Sequence, residues 1–279
     1  MIIFWKLFYR KQFRNKSNRF ITISENWGRR MKQIYAFERE EEFVKYRDVT
    51  HRFGEKLSEY QAILEQQYDL TELPKGILWT SEELATMFFS NIPIPAYTNK
   101  DLIYMSPDVK SWRRILLSQL DGKDLPDVQE FYENYSENQV FIILAHELTH
   151  HSDLFLDEFD DESENGIWFE EGMCFYLPRK ILLSEKEFNE ITNAEIQLFE
   201  AFKDKYGKHS LEDFGSLSYQ GSLSSIMFDY WRSYLSVKYL VEDRANNNVK
   251  QVFDTYHQWD REGRKVPLTE YFGIESLLK

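Results

Sequence analysis

The pentapeptide His146-Glu147-Leu148-Thr149-His150 follows directly on the apolar run Val140-Phe141-Ile142-Ile143-Leu144-Ala145. No other stretch constrains the fold as tightly. An apolar run of this kind asks for a buried element, and on an α-helix residues i and i+4 project from one face. Both imidazoles can then reach a single metal ion, with the intervening glutamate close enough to act on a water held there. With six histidines in 279 residues, the pattern arises by chance in roughly one percent of such chains. The competing reading is a buried helix whose histidines hydrogen-bond to their neighbours.

A catalytic zinc takes three protein ligands and leaves a fourth position for water. Downstream lies Gly166-Ile167-Trp168-Phe169-Glu170-Glu171-Gly172-Met173, where a glutamate next to glycine opens a second helix. Gly172, lacking a side chain, permits close helix packing beside the metal. The pair H-E-x-x-H and W-x-x-E-G resembles the gluzincin metallopeptidases, the group of thermolysin and the aminopeptidase N family. The resemblance makes Glu171 the third ligand, with Glu170 its nearest rival. A glutamate pair is also what the first turn of a helix favours through its dipole.

Further on, Asp229-Tyr230-Trp231-Arg232-Ser233-Tyr234-Leu235-Ser236-Val237-Lys238-Tyr239-Leu240 is similar to the gluzincin helix whose leading tyrosine hydrogen-bonds the tetrahedral intermediate. That implies Tyr230 as the donor, with Tyr234 the alternative. A phenol suits the task, because a neutral donor aimed at a developing oxyanion stabilises it in a dry site. With 17 tyrosines present, a core tyrosine with a satisfied hydroxyl is the competing reading. The three islands fall between residues 140 and 240. The G-x-M-E-N strand of aminopeptidase N relatives is missing, and the corresponding stretch, Pro93 to Pro107, offers no amine-binding glutamate.

The resemblance implies a zincin-like α+β fold, rich in helix, with a small mixed sheet preceding the zinc-binding helix and a helical C-terminal subdomain after it. Phe43, Tyr46, Phe53, Leu57, Tyr60, Leu64 and Tyr68 recur at helical spacing, predicting a long amphipathic helix over 38–68, weakened at Gly54. Gly76-Ile77-Leu78-Trp79 reads as a strand, and Thr80-Ser81-Glu82-Glu83 as a capping box starting another helix. Leu102-Ile103-Tyr104-Met105 is a second strand. By resemblance it is the edge strand that binds the substrate backbone, a general mode of peptide recognition. Ser184-Glu185-Lys186-Glu187 caps a helix ending near Gly207, and Val249, Val252, Phe253, Tyr256 and Trp259 mark another.

Length and a hydrophobic fraction of 42% suit a folded core. The expected organisation is a basic leader over 1–30 and one metallopeptidase-like domain over 31–279. That domain divides into an N-terminal helix and small sheet (31–130), zinc-site helices (131–180) and a helical subdomain (181–279). The leader carries +7 against −20 for the remainder, from a total of −13. The acidic body argues against nucleic-acid binding. The leader's charges follow its apolar stretch, opposite to a secretory signal. It reads as a disordered tail, or as sequence upstream of a true start at Met31, or as a segment lying on an anionic membrane surface. No segment suits a transmembrane span, and the expected location is cytoplasmic. The single cysteine, Cys174, fits a reducing compartment and reads as a small buried hydrophobe.

Residues 153–164 hold seven acidic side chains. Asp157, Asp160 and Asp161 suggest calcium, but the EF-hand glycine is missing and a solvated acidic loop is the better reading. His209 and His257 are each candidates for a second transition-state donor. His51 lacks context, and His151 points about 100° around the helix from His150. Together these features predict a cytosolic metallopeptidase with one Zn²⁺ per chain. His146, His150 and Glu171 hold the ion, Glu147 is the general base, Tyr230 is the oxyanion donor, and a peptide or protein is the substrate. The alternatives are a metal-stabilised domain that binds or regulates without turnover, and a hydrolase of a non-peptide amide, epoxide or ester.

Overall fold

The computed structural model of the chain describes residues 21–22, 31–90, 92–157, 159, 165–215, 218 and 221–275. Within them the fold is α+β and helix-rich, with a small mixed sheet, as the sequence predicts. In chain order the described α-helices are α1 (Glu40–Gln67), α2 (Glu82–Leu84, continued by a π-helical turn over Ala85–Phe89), α3 (Val109–Ser118), α4 (Pro126–Glu133) and α5 (Glu137–Thr149). Then come α6 (Ile167–Leu182), α7 (Glu185–Tyr206), α8 (Leu223–Tyr239), α9 (Val249–Arg261) and α10 (Leu268–Phe272). No described helix is long and apolar enough to cross a membrane. The basic leader lies outside the described residues except for Ile21 and Thr22.

The chain divides into two compact units, the first comprising Met1–Ile115, Tyr135–Asp153 and Glu158–Glu162. Its sheet has strands β1 (Ile21–Thr22), β2 (Lys32–Ala36), β3 (Gly76–Thr80), β4 (Ala96–Thr98) and β5 (Leu102–Met105), in the order β1-β2-β3-β5-β4. β3 runs parallel to both β2 and β5. Parallel neighbours need a crossover, and α1 provides the one between β2 and β3. β3 is buried along its whole length, the state its unbroken Ile77-Leu78-Trp79 run suits.

One strand assignment needs correction. The segment read as the edge, Leu102–Met105, is interior, between β3 and β4. The edge is β4, antiparallel to β5 with Tyr97 opposite Tyr104. Bonds from Asn99 N to Leu102 O at 3.0 Å and from Ser106 N to Pro95 O at 2.9 Å fix the register. Alternate residues therefore point their backbone groups at β5, while Ala96 and Thr98 point theirs the other way.

α1 falls within the predicted span of 38–68 and buries Tyr46, Phe53, Leu57, Tyr60 and Leu64 of the predicted stripe, while Phe43 and Tyr68 are half-buried. Gly54 sits over the Gln33 side chain of β2 with room to spare, its added Cβ lying 3.7 Å from Gln33 Nε2. α1 also holds α5. Arg52 donates to both oxygens of Glu137 at 3.0 and 2.8 Å, and the Tyr60 hydroxyl meets Thr149 Oγ1 at 2.8 Å. The predicted cap at Thr80 to Glu83 is displaced by one residue. Thr80 belongs to β3 and donates to Ala36 O at 2.9 Å, leaving Ser81 to cap α2 through Leu84 N at 3.2 Å.

The second unit comprises Leu116–Asn134, Leu154–Asp157 and Ser163–Lys279, and is helical. α6 and α8 approach most closely at Gly172. A Cβ there would overlap the Ser233 carbonyl oxygen and lie 2.6 Å from Val237 Cγ2, so any larger residue forces the helices apart. α7 begins at the predicted capping box, with Ser184 Oγ accepting from Glu187 N at 3.3 Å and Glu187 Oε2 accepting from Ser184 N at 2.9 Å. It is tied to α6 by a buried pair, Arg179 donating to both oxygens of Glu195 at 2.8 and 2.7 Å. α9 turns Val252, Phe253, Tyr256 and Trp259 into the core.

Candidate metal centre

α5 starts at a full capping box that escapes the sequence reading although Ser136-Glu137-Asn138-Gln139 spells it. Ser136 Oγ accepts from Gln139 N at 3.2 Å, and Gln139 Oε1 accepts from Ser136 N at 2.6 Å. Val140, Phe141, Leu144, Ala145 and Leu148 are buried around it. The helix runs to Thr149, and His150 keeps right-handed helical geometry as the capping residue. The i, i+4 alignment of the two imidazoles therefore survives to the helix end.

Both rings are buried, with 3% and 4% of their residues exposed. Their Nε2 atoms stand 3.2 Å apart, with the ring planes at 80° and the centroids 4.8 Å apart. Zinc–nitrogen bonds of about 2.0–2.1 Å at tetrahedral angles place two imidazole nitrogens about 3.3–3.4 Å apart. The observed spacing thus fits two ligands of one ion. It also fits a neutral imidazole donating to its neighbour.

Glu171, on α6, is 1% exposed. Its helix begins at Gly166, whose φ of 86° is open to glycine and strained for other residues. His146, His150 and Glu171 each offer one ligand atom, and these atoms lie within 4.8 Å of one another. Two imidazoles and a carboxylate form a donor set suited to zinc, so this buried group can hold a metal ion. Glu170, the rival, is part of the setting of Tyr256. Burial, then the charge of Glu170, hold the Tyr256 phenol above its usual range.

Glu147 is 2% exposed and lies near Tyr97 of β4. The Tyr97 hydroxyl is held well above the ordinary phenol range, mainly by burial, then by Tyr104 and by the Glu147 charge. Tyr97 stacks on Tyr104 with centroids 4.5 Å apart. This neighbour of Glu147 was invisible in the sequence, because only the sheet brings residue 97 to α5. His151 turns away from His146 and His150. Its Nε2 meets Thr98 Oγ1 at 2.8 Å, and its pKa is pushed down to about 3, by burial first and then by His150.

Tyr230 is buried in α8 between two aromatic edges. Phe175 lies 5.6 Å away at 86° and Phe214 4.9 Å away at 82°. Tyr234, the alternative donor, is committed elsewhere. Its hydroxyl meets Thr192 Oγ1 at 2.6 Å, and the Arg179 guanidinium lies 4.2 Å from its ring centre.

The other candidates have partners of their own. His257 Nε2 donates to Leu154 O at 2.7 Å, His209 faces Asp229, and His51 is exposed beside Glu55. Cys174 is fully buried in α6. Asp157 pairs with Arg264 at 2.8 Å, while Asp160 and Asp161 lie outside the described residues. Comparison with protein-family models, curated proteins and solved structures finds no match to this chain.

Proposed function

We propose that this protein is a zinc-dependent hydrolase of peptide bonds that works in the manner of the gluzincins. The observation that carries the reading is the convergence of His146, His150 and Glu171, with Glu147 between the two histidines on the same helix. Zinc held there by His146, His150 and Glu171 would supply a Lewis acid able to polarise a carbonyl and to bring the pKa of water near neutrality. Glu147 would take a proton at a carboxylate oxygen from the water as its oxygen bonds to the peptide carbonyl carbon, and would give that proton to the amine nitrogen as the C–N bond breaks. Tyr230 donates its hydroxyl hydrogen to the substrate oxygen as charge develops there.

The corrected strand order refines the reading of substrate binding. β4 is the edge strand, and Ala96 and Thr98 turn their backbone N–H and C=O groups away from β5. An extended peptide can add to such an edge through main-chain hydrogen bonds. The nearness of Glu147 to Tyr97 puts this edge beside the proposed general base.

The 3.2 Å contact between the imidazoles supports a second, metal-free reading, in which one ring simply bonds the other. A Glu147→Gln variant assayed with a peptide mixture tests the reaction. Hydrolysis falls about 10²–10⁴-fold while zinc content stays at the wild-type level. A fully active Glu147→Gln protein removes Glu147 from the mechanism.

A further inference from the structure

Residues 208–214, between α7 and α8, touch two of the elements that the proposed reaction uses. Ser210 closes the short turn Leu211–Asp213, accepting from Glu212 N at 3.2 Å while Asp213 Oδ2 accepts from Ser210 N at 3.1 Å. Glu212 then reaches outward. Its Oε1 accepts from Trp168 Nε1 at 3.2 Å, at the start of α6, and from Thr269 N at 2.6 Å, at the start of α10. Phe214 presents its ring to Tyr230 at 4.9 Å. One short segment thus bears on Trp168, one turn before Glu171, and on the Tyr230 ring.

A buried charge cluster holds the segment down. Asp229, adjacent to Tyr230, is 0% exposed. His209 Nε2 lies 2.9 and 3.0 Å from its two oxygens. The Ser218 hydroxyl donates to Asp229 as well, and Arg232 Nη1 reaches it at 3.3 Å. Arg232 also donates to the His209 carbonyl oxygen at 3.3 Å, so His209 is gripped by ring and by backbone. A carboxylate buried this deeply is tolerated only where charge and hydrogen bonds compensate it.

We propose that residues 208–214 form a strap that positions Tyr230 and the first turn of α6, and that the His209–Asp229 pair is its latch. His209 is a positioning residue here, acting through Phe214 and Glu212. Only the consequence for turnover rests on the hydrolase reading; the strap and its latch need neither metal nor substrate.

The latch responds to pH. The charged groups facing His209 are Asp229 and Arg232 on α8 and Asp213 on the turn. The hydrogen bond that His209 donates to Asp229 is the largest influence and outweighs burial, so the imidazole pKa lies above its ordinary 6.5. A group whose folded pKa is raised contributes stability that is fully present below the unfolded value. That stability is lost as pH rises through the folded value. The strap is therefore tight in mild acid and loosens in alkali.

Hydrogen–deuterium exchange on the full chain tests this, comparing wild type with His209→Gln and Asp229→Asn on both sides of the His209 titration after correction for intrinsic exchange. In wild type, protection of peptides covering 208–214 falls from the acid to the alkaline side, while α1 peptides do not change. His209→Gln keeps a neutral donor but cannot ionise. Its strap protection stays at the alkaline wild-type level at both pH values. Equal pH dependence of strap protection in wild type and His209→Gln overturns the proposal. If Asp229→Asn unfolds the chain, seen as lost α1 protection, His209→Gln decides alone.

Where peptide hydrolysis is measurable, His209→Gln also abolishes the alkaline decline of kcat assigned to the latch and leaves zinc content unchanged. An alkaline decline identical to wild type overturns the link from strap to turnover. A chain that binds no zinc but keeps its His209-dependent strap refutes the hydrolase reading alone.

Discussion

Two sets of buried polar side chains differ in what each gathers. Two buried acids of the helical unit, Glu195 on α7 and Asp229 on α8, each face a buried arginine. Glu195 takes both nitrogens of Arg179, which is further sandwiched by Phe175 and Tyr234 at 4.5 and 4.2 Å. Asp229 takes Arg232 and His209. These are closed charge pairs; the first joins α6 to α7, and the second ties His209 to α8. The group of His146, His150 and Glu171 gathers imidazole nitrogens and a carboxylate oxygen, donors that converge as ligands do. The first arrangement supplies its own cation; the second could hold one. Burial of charged residues alone therefore does not mark a functional site, and the identity of the partners does.

The comparison breaks most visibly in a mutation that opens a closed pair. Arg179→Met leaves Glu195 buried without its guanidinium and should cost about 3–5 kcal/mol in denaturant melts. Arg179→Met with Glu195→Leu should recover most of that loss, since apolar replacement of a buried pair is often neutral. An unchanged midpoint in the single variant would show the pair to be solvated. At the other site, zinc at a hundredfold excess over its Kd should raise stability by about 2.7 kcal/mol, and should do nothing for His146→Ala. A zinc response equal in both proteins would place the ion elsewhere.

Smaller effects sharpen the contrast between packing and chemistry. Gly172→Ala drives a methyl into the Ser233 carbonyl and should cost about 1–3 kcal/mol. It should also weaken zinc binding by shifting the adjacent Glu171. Tyr234→Phe removes a hydroxyl bonded to Thr192 and should cost about 1 kcal/mol with peptide hydrolysis retained. Tyr230→Phe should do the reverse, lowering hydrolysis with little change in the melt. If the two tyrosine variants traded places, the assignment of donor and core tyrosine would be inverted.

What was legible in the sequence was what local spacing encodes. The helix carrying His146 and His150, the long stripe of α1, the strand at Gly76–Trp79 and the cap at Ser184 each follow from periodicity or from a short pattern. What was not legible depends on residues far apart in the chain. The edge strand was placed at Leu102–Met105 because strand order is set by crossovers, and the pairing of β5 with β3 cannot be read from either strand. Tyr230 and Tyr234 sit one turn apart on one helix. They are told apart by residues from elsewhere in the chain: Thr192 on α7 meets the Tyr234 hydroxyl, while Phe175 and Phe214 pack edge-on to the Tyr230 ring. Likewise His209 and His257 look alike in sequence, and differ because one meets a buried carboxylate and the other a backbone carbonyl.

The central claim is that His146, His150 and Glu171 are ligands of one metal ion. Elemental analysis of purified wild type beside His146→Ala and Glu171→Ala tests it most directly. The account predicts about one zinc per chain in wild type, the one-ion stoichiometry of a three-ligand site, with the metal lost in both variants. Wild-type protein free of metal after reconstitution with zinc would contradict it, and the two imidazoles would then be a hydrogen-bonded pair on a buried helix.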